Sequence, residues 1–455
     1  MPSPATQKDN LQAELESDLA RSVDPRGIPT GDRDVHPALA WAASGAMALT
    51  GHADGPPRLA PAALAVSCRR AAGALHQMSG TRATAELDGA QFLGERAAIA
   101  GLRRAGDRSP GGTCRILPAA DGWIAVNLAR SDDHSLLPAW LGSGCGSDPW
   151  PALADRVREQ PRDPLVARAR LLGLPVAPLA EPPKTAPRWC RVAARGSMAP
   201  NSRKESPRVL DLSALWAGPL CAHLLGLAGA HVIKVESLQR PDGARFGPEA
   251  FFHLMNAGKQ SVALDLHSRD GRGALRRLIQ SADIVIESAR PRALAQLGID
   301  AASLVRQTPG LTWLSITGYG RDEPAGGWVA FGDDAAAAAG LALAMDPAAP
   351  IFCGDAIADP LTGLHAAVAC LKAWQQGGGV LLDVALSKVV AHVLASAPSP
   401  PARVERTPGS SQGWTVVAAT KRETVRAPRA RHVHQHARPL GSDTEGILRE
   451  VANAC

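Results

Sequence analysis

Residues 208–236, RVLDLSALWAGPLCAHLLGLAGAHVIKVE, constrain this chain more than any other stretch. Val209 to Leu212 is a short apolar run, and Gly218-Pro219 opens a helix. Gly226 and Gly229 close that helix before a second apolar run, Val232 to Val235. The order strand, helix, strand is the opening of an open parallel sheet. Ligands of such sheets sit beyond the carboxyl ends of the strands, which places Ser213–Gly218 at a binding crevice.

The same alternation continues downstream. The spacing predicts strands at 208–212, 231–235, 261–265, 283–287 and 311–316, with helices at 217–228, 268–280 and, in shorter pieces, 291–307. A helix over 360–375, a turn at Gly377–Gly379, a strand Val380–Val384 and a helix to Ala395 close the unit. Strand and helix alternating in this way argue for an α/β fold with right-handed crossovers. Before it, TCRILPAADGWIAVNLA at 113–129 predicts two short strands joined by Ala120-Asp121-Gly122, and 36–101 is Ala-rich and helical. Residues 183–207 are rich in Pro, Ser and basic side chains and suit a linker, as 397–425 suits a loop. Ser442 and Glu445 form a capping-box pattern for a terminal helix.

Bulk properties exclude several classes. The net charge of +6 comes from scattered arginines with one cluster at Arg426–Arg431 and no basic face interleaved with aromatics, so nucleic acid is not expected as a partner. The eight cysteines include no CxxC pair, which supports neither a zinc ribbon nor a disulfide framework. The first 27 residues are polar and carry acids, unlike a signal peptide. No window approaches the ~20 apolar residues that cross a bilayer. The expected location is the cytoplasm, with no membrane partner. His432, His434 and His436 alternate but have no acidic or cysteine partner nearby, and no metal site is expected. The chain has no G-x-S-x-G, Walker, HExxH or GxGxxG motif.

The chain also echoes itself. HPALAWAASGAMALTGHADGPPRLAPAALAVSCRRAAGALHQ, at 36–77, parallels GDDAAAAAGLALAMDPAAPIFCGDAIADPLTGLHAAVACLKA, at 332–373, and sets Val66 opposite Asp359. Asp359 precedes Pro360, the favoured first residue of a helix, and therefore reads as an N-cap. A carboxylate there faces unpaired N–H groups and the positive end of the helix dipole.

With DLSALWAGP, LAGAHVIKVE and IADPLTGLHAA, the sequence resembles the family III CoA-transferases, the formyl-CoA and carnitine CoA-transferase type. The resemblance is strong over 208–395 and weaker elsewhere in 35–450. It implies a Rossmann-like CoA-binding domain and a smaller α/β domain. It also implies coenzyme A or acyl-CoA as substrate rather than a permanently bound cofactor, and a carboxylic acid as acceptor. The family's small domain begins with a DGWIAV-like strand and normally follows the catalytic half, whereas here it precedes it. The implied organisation is a fused, permuted chain. Its parts are an arm at 1–29 with one short helix over Asn10–Ser22, a degenerate copy of the catalytic-helix region at 30–108 and a small domain at 109–186. A linker at 187–207, the CoA-binding catalytic domain at 208–396 and a loop with a C-terminal helix at 397–455 follow. Family members are interlocked homodimers, so either a homodimer or an intrachain pseudo-dimer is implied.

By the same resemblance Asp359, and not Asp355, is the nucleophile. Leu215, Trp216, Ala217 and Gly218 fall on the loop that lines the acyl site, with Trp216 standing where a Gln is common. Lys234, Glu236, Lys259 and Arg290 fall where the family meets the nucleotide end of CoA, and phosphate oxygens there demand charge-assisted donors. Gly318 and Gly320 end a strand and allow close backbone approach. Two alternatives stay open. One is a 2-methylacyl-CoA racemase, which needs a His beside the Asp. The stretch GGWVAFGDDAAAAAG has none, and only His36 of the first copy could supply one. The other is a CoA-binding protein without catalysis.

Overall fold

The computed structural model describes residues 36–142, 144, 146, 148–199, 205–395, 400–410, 413–433 and 435–453. The arm at 1–29, its helix over Asn10–Ser22, and His434 lie outside them. Strands are numbered along the chain. A first antiparallel sheet joins β1 (Cys114–Ala119), β2 (Gly122–Asn127) and β3 (Val176–Pro178). Its core is closed by Leu137, Trp140, Leu153 and Leu165 from three following helices.

The main sheet has seven strands. They are β4 (Cys190–Arg195), β5 (Arg208–Asp211), β6 (His231–Ser237), β7 (Gln260–Leu264), β8 (Ile284–Glu287), β9 (Thr312–Thr317) and β10 (Val380–Ala385). Their spatial order is β4-β10-β9-β8-β5-β6-β7. All neighbours are parallel except β4, which pairs antiparallel with β10. The strand order reverses at β5, so the crevice between the ends of β5 and β8 is the topological switch point. Near-continuous apolar runs such as VLLDVA and IVIE fit strands covered on both faces. On one face Leu275, Leu278 and Ile279 of the helix Arg269–Gln280 pack on Leu210, Ile233 and Val285. On the other, helices Ala217–Leu227 and Ala358–Gln375 bury Leu220, Leu224, Leu361 and Leu364 against Val209, Ile284 and Leu314.

These last two helices cross closely at Gly363. A Cβ there would stand 2.6 Å from the Ala217 carbonyl oxygen and 3.1 Å from the Leu220 side chain. The Gly of the GLHAA run therefore sets how near the Asp359 helix comes to the loop after β5.

Two expectations fail here. Residues 190–195, assigned to the linker at 187–207, form the edge strand β4. Its buried Cys190 and Val192 alternate with Arg191 beneath a Pro- and Arg-rich composition that hid the period of two. Residues 397–425 are not only loop, because β11 (Arg403–Arg406), β12 (Trp414–Ala418) and β13 (Lys421–Thr424) form a third antiparallel sheet. Its central strand is buried on both faces at Val416 and Val417, while an ion pair of 2.7 Å joins Arg422 and Glu405 of the two flanking strands.

The third sheet docks on the N-terminal segment, where Arg426 N–H donates to the Ala42 carbonyl at 2.9 Å. The first sheet docks on the segment that echoes it, where the Asn127 amide donates to Asp334 at 3.0 Å. Both segments run helix, left-handed Gly, short helix, irregular stretch, long helix. These are Pro37–Ala43, Gly45, Ala46–Leu49 and Leu64–Ser79 in one, and Gly332–Ala338, Gly340, Leu341–Met345 and Ala358–Gln375 in the other. Gly45 has φ 87° and Gly340 φ 95°, and at each a Cβ would stand 2.8 Å from a proline Cα, Pro428 and Pro182. The two long helices meet through buried His365, whose Nδ1 donates to the Leu361 carbonyl at 2.7 Å. Nε2 must then accept from the Ser67 hydroxyl, 3.1 Å away. Burial pushes this imidazole down to about 4, so it is neutral.

Candidate active site

Asp359 does not cap its helix from outside. Ile357 is the N-cap and Asp359 is the second helical residue, with its N–H on the Ala356 carbonyl at 2.9 Å. The turn before it is tight, with Gly354 at φ 72° and Ala356, a non-glycine, at φ 41°. Such a conformation costs on the order of 1–3 kcal/mol and persists only where neighbours over-determine it. Asp333 Oδ1 accepts from Ala356 N–H at 2.8 Å, and Asp355 is gripped by Arg96 through Nε (2.8 Å) and Nη2 (2.5 Å). Together these contacts present the half-buried Asp359 side chain beside Gly332. A Cβ on Gly332 would come within 2.3 Å of the Asp359 Oδ2, so only glycine fits there.

The electrostatics of this carboxyl differ from those of a simple helix terminus. Burial pushes Asp359 up to about 7; Arg96 and the Gly332 N–H pull it down, and the Asp333 and Asp355 charges push it up. Burial also pushes Asp333 up to about 7, with the Asp355 charge adding to it and Arg96 opposing. Burial thus outweighs the helix dipole at this carboxyl. Among the described residues the main charged groups acting on it are Arg96, Asp333 and Asp355. His36 instead caps its own helix, accepting from Ala38 N–H at 3.2 Å.

The loop after β5 is held by a buried ion network. Lys259 donates to Asp211 (2.7 Å), Asn256 (3.0 Å) and the Pro219 carbonyl (2.9 Å). Lys234 pairs with Asp242 at 2.8 Å and donates to the Ser213 carbonyl at 3.0 Å. Lys234 is 2% exposed and Lys259 3%, which decides their part. Their ammonium groups are spent inside the protein, so the expected phosphate contact by these two lysines gives way to a scaffold role. Glu236 likewise takes both arms of Arg245, at 2.8 and 2.6 Å. Asp242 also accepts the Leu215 N–H at 2.9 Å, fixing Leu215 at φ 70° with its side chain out in solvent.

Trp216 follows as the N-cap of the helix Ala217–Leu227. It is buried edge-on to Phe251, 5.4 Å between centroids, and the Arg96 guanidinium lies 5.4 Å from its ring centroid. Its indole N–H has no partner among the described residues. Gly218 is needed because a Cβ there would strike the Ser213 Cβ at 2.2 Å, and Ala217 makes the crossing at Gly363. Gly318 packs on Ala330, 2.4 Å from a Cβ built on it, two residues before the Gly332 that faces Asp359. Its carbonyl accepts from Ser387 N–H (3.1 Å) and hydroxyl (2.9 Å), so it serves a packed turn.

Arg290 caps the helix Pro291–Gln296 at the end of β8, across the switch point. Burial holds its guanidinium below the usual value, and the neighbouring Arg292, Arg130 and Arg240 charges push the same way. Arg240, Arg290 and Arg292 have no ion pair among the described residues. Sequence reasoning missed Arg96, Asp333 and Gly332. The Arg96 contact spans 259 positions and carries no local signal.

Comparison with known proteins decides the lineage of this arrangement. Residues 205–433, half of the chain, match the model of CoA-transferase family III. The chain belongs to that family. A succinate–glutarate CoA-transferase of Agrobacterium fabrum is 33% identical over 208 residues, 42% of this chain and 52% of that protein. A succinyl-CoA–D-citramalate CoA-transferase of Chloroflexus aurantiacus is 30% identical over 213 residues, 44% of this chain and 53% of that one. The chain thus spans about half the length of the curated relatives it matches. Among solved structures, a CAIB/BAIF family protein from Brucella suis is 30% identical, covering 48% of this chain and 64% of that one, with a TM-score of 0.39. Arg96 lies outside the part matched by the family model.

Proposed function

We propose that the protein is an acyl-CoA:carboxylate CoA-transferase with Asp359 as nucleophile. The observation that carries this reading is the placement of Asp359. A family III chain holds one carboxyl at the start of a helix that follows a strained turn and crosses the loop after β5 at Gly363, with burial raising its affinity for a proton to about 7.

The chemistry runs in four balanced steps. An Asp359 oxygen attacks the thioester carbonyl, the C–S bond breaks, and a mixed anhydride and CoA thiolate result. The thiolate attacks the aspartyl carbon, expelling the donor acid as its carboxylate and leaving an aspartyl-CoA thioester. The acceptor carboxylate attacks that thioester, regenerating an anhydride and thiolate. The thiolate then takes the acceptor's acyl carbon, and Asp359 returns as a carboxylate. No net proton moves, so the only requirement is that Asp359 be ionised. Holding CoA throughout keeps the thiolate at high effective concentration.

The arginines Arg240, Arg290 and Arg292 suit the phosphates of CoA, taking the place foreseen for Lys234 and Lys259. The names of the relatives point to short dicarboxylic acids as donor and acceptor. The first copy, with Val66 opposite Asp359, serves as structural partner within one chain, and the cytoplasm is the proposed location. No helix among the described residues is long and apolar enough to cross a membrane.

The test is incubation with a panel of acyl-CoA thioesters, including succinyl-CoA, followed by hydroxylamine and peptide mass spectrometry. A hydroxamate on Asp359, together with exchange between succinyl-CoA and glutarate, is the expected result. Acyl-CoA binding with neither labelling nor exchange would leave a binding protein. Exchange of the α-proton without an acceptor acid would point to a racemase.

A further inference from the structure

Arg96 comes from the six-residue helix Glu95–Ala100, far from the sheet in sequence, yet its guanidinium ends in the middle of the carboxylate cluster. Asp355, which it grips with two nitrogens, has no exposed side-chain surface. The grip falls between Gly354 and Ala356, the two positive-φ residues that turn the chain toward Asp359. The guanidinium stays put from other directions too. Trp216 lies under it at 5.4 Å, and a Cβ built on Gly111 would stand 3.0 Å from its Nη2. Next to it, buried Glu95 pairs with Arg431 at 2.6 and 2.9 Å, so the short helix is anchored by two successive residues.

The groups facing Asp359 set the charge balance. Asp333 arrives on the helix Gly332–Ala338 and Asp355 on the preceding turn, both anionic when ionised; the Gly332 N–H is a neutral donor. Arg96 is the cation among them. Without it, a partly buried carboxylate would face two others with no counter-charge, and it would take up a proton and cease to be a nucleophile.

We propose that Arg96 is the positioning residue of this site, holding the turn 354–356 so that Asp359 is presented and supplying the positive charge that keeps it available for attack. The proposal rests on the reading of Asp359 as nucleophile. It makes the N-terminal copy, which lacks its own acid, the donor of a group on which the other copy's acid depends.

The experiment follows Asp359 directly. A water-soluble carbodiimide modifies the protonated carboxyl, and peptide mass spectrometry gives the extent at Asp359 from about pH 5 to about pH 9 in the full chain. The same variants are assayed for exchange between succinyl-CoA and glutarate. Arg96→Gln should move the midpoint to higher pH and lower exchange near neutrality by at least about tenfold, with recovery as pH rises. Arg96→Lys should restore most of both. Asp355→Asn, which removes an anion, should move the midpoint the other way, and it serves as the second probe if Arg96→Gln fails to fold. A purely structural Arg96 would lower the amplitude of exchange and leave the midpoint in place, and that result, or an unmoved midpoint in Asp355→Asn, overturns the proposal. If the midpoints move as expected but no variant, parent included, exchanges acids, the positioning role stands and the transferase reading falls.

Discussion

The segments 36–79 and 332–375 have the same local plan and opposite chemistry. Each runs through a helix, a left-handed glycine against a proline, a short helix and a long helix, with a three-stranded antiparallel sheet at its side. In one, the start of the long helix carries Val66, 5% exposed in the apolar core; in the other it carries Asp359 among three charged neighbours. The difference teaches that the backbone plan alone does not make a site. Asp359 has a guanidinium, a glycine N–H and two further carboxyls as neighbours, and among the described residues Val66 has none of these. Those companions gather at one end, while at the other the space is filled by hydrocarbon.

Substitutions in each segment test this contrast. The largest effect is expected from Asp359→Asn, which should cut succinyl-CoA/glutarate exchange by at least about a thousandfold, measured by chromatography of the CoA esters, while CoA still binds. Val66→Asp should not create a second site. It sets an unpaired charge in the core and should destabilise the fold by about 3–5 kcal/mol in urea unfolding; a stable, active variant would show that the two segments are interchangeable. On the proposed mechanism only ionised Asp359 attacks, and burial pushes its carboxyl up to about 7. The exchange rate should therefore climb with pH, by about tenfold between about pH 6 and about pH 8, in a parent pH-rate profile. The smallest effect is expected at the join between the segments. Ser67→Ala removes the donor to His365 and should cost about 1 kcal/mol by the same unfolding measurement, with exchange unchanged.

Much of the fold was legible in the sequence because its strands are short, apolar and punctuated. The strands from β5 to β10 fall within a residue or two of their expected positions, and Gly229 ends the first crossover at φ 99° as its place after the apolar run suggests. What stayed hidden were strands with charged exposed sides. In β4 and in β11–β13, arginines and prolines outweighed an alternation only a few residues long. The candidate site was legible only in its local runs, whose functional roles are proposed. Asp359, Trp216 and Gly218 sit in one run each, and the crevice brings their runs together. Lys234 and Lys259 misled because a basic residue beside a phosphate site and one inside an ion network read alike until burial is known. Arg96 and Asp333 were illegible because their meaning is a distance in space between distant parts of the chain.

Two neighbouring residues on one short helix hold on to remote places. Glu95 clasps Arg431 near the third sheet, and Arg96 clasps the turn that delivers Asp359. The segment at Arg431 and the carboxylate cluster are thus fastened to adjacent residues of one short helix, although neither touches the other in sequence.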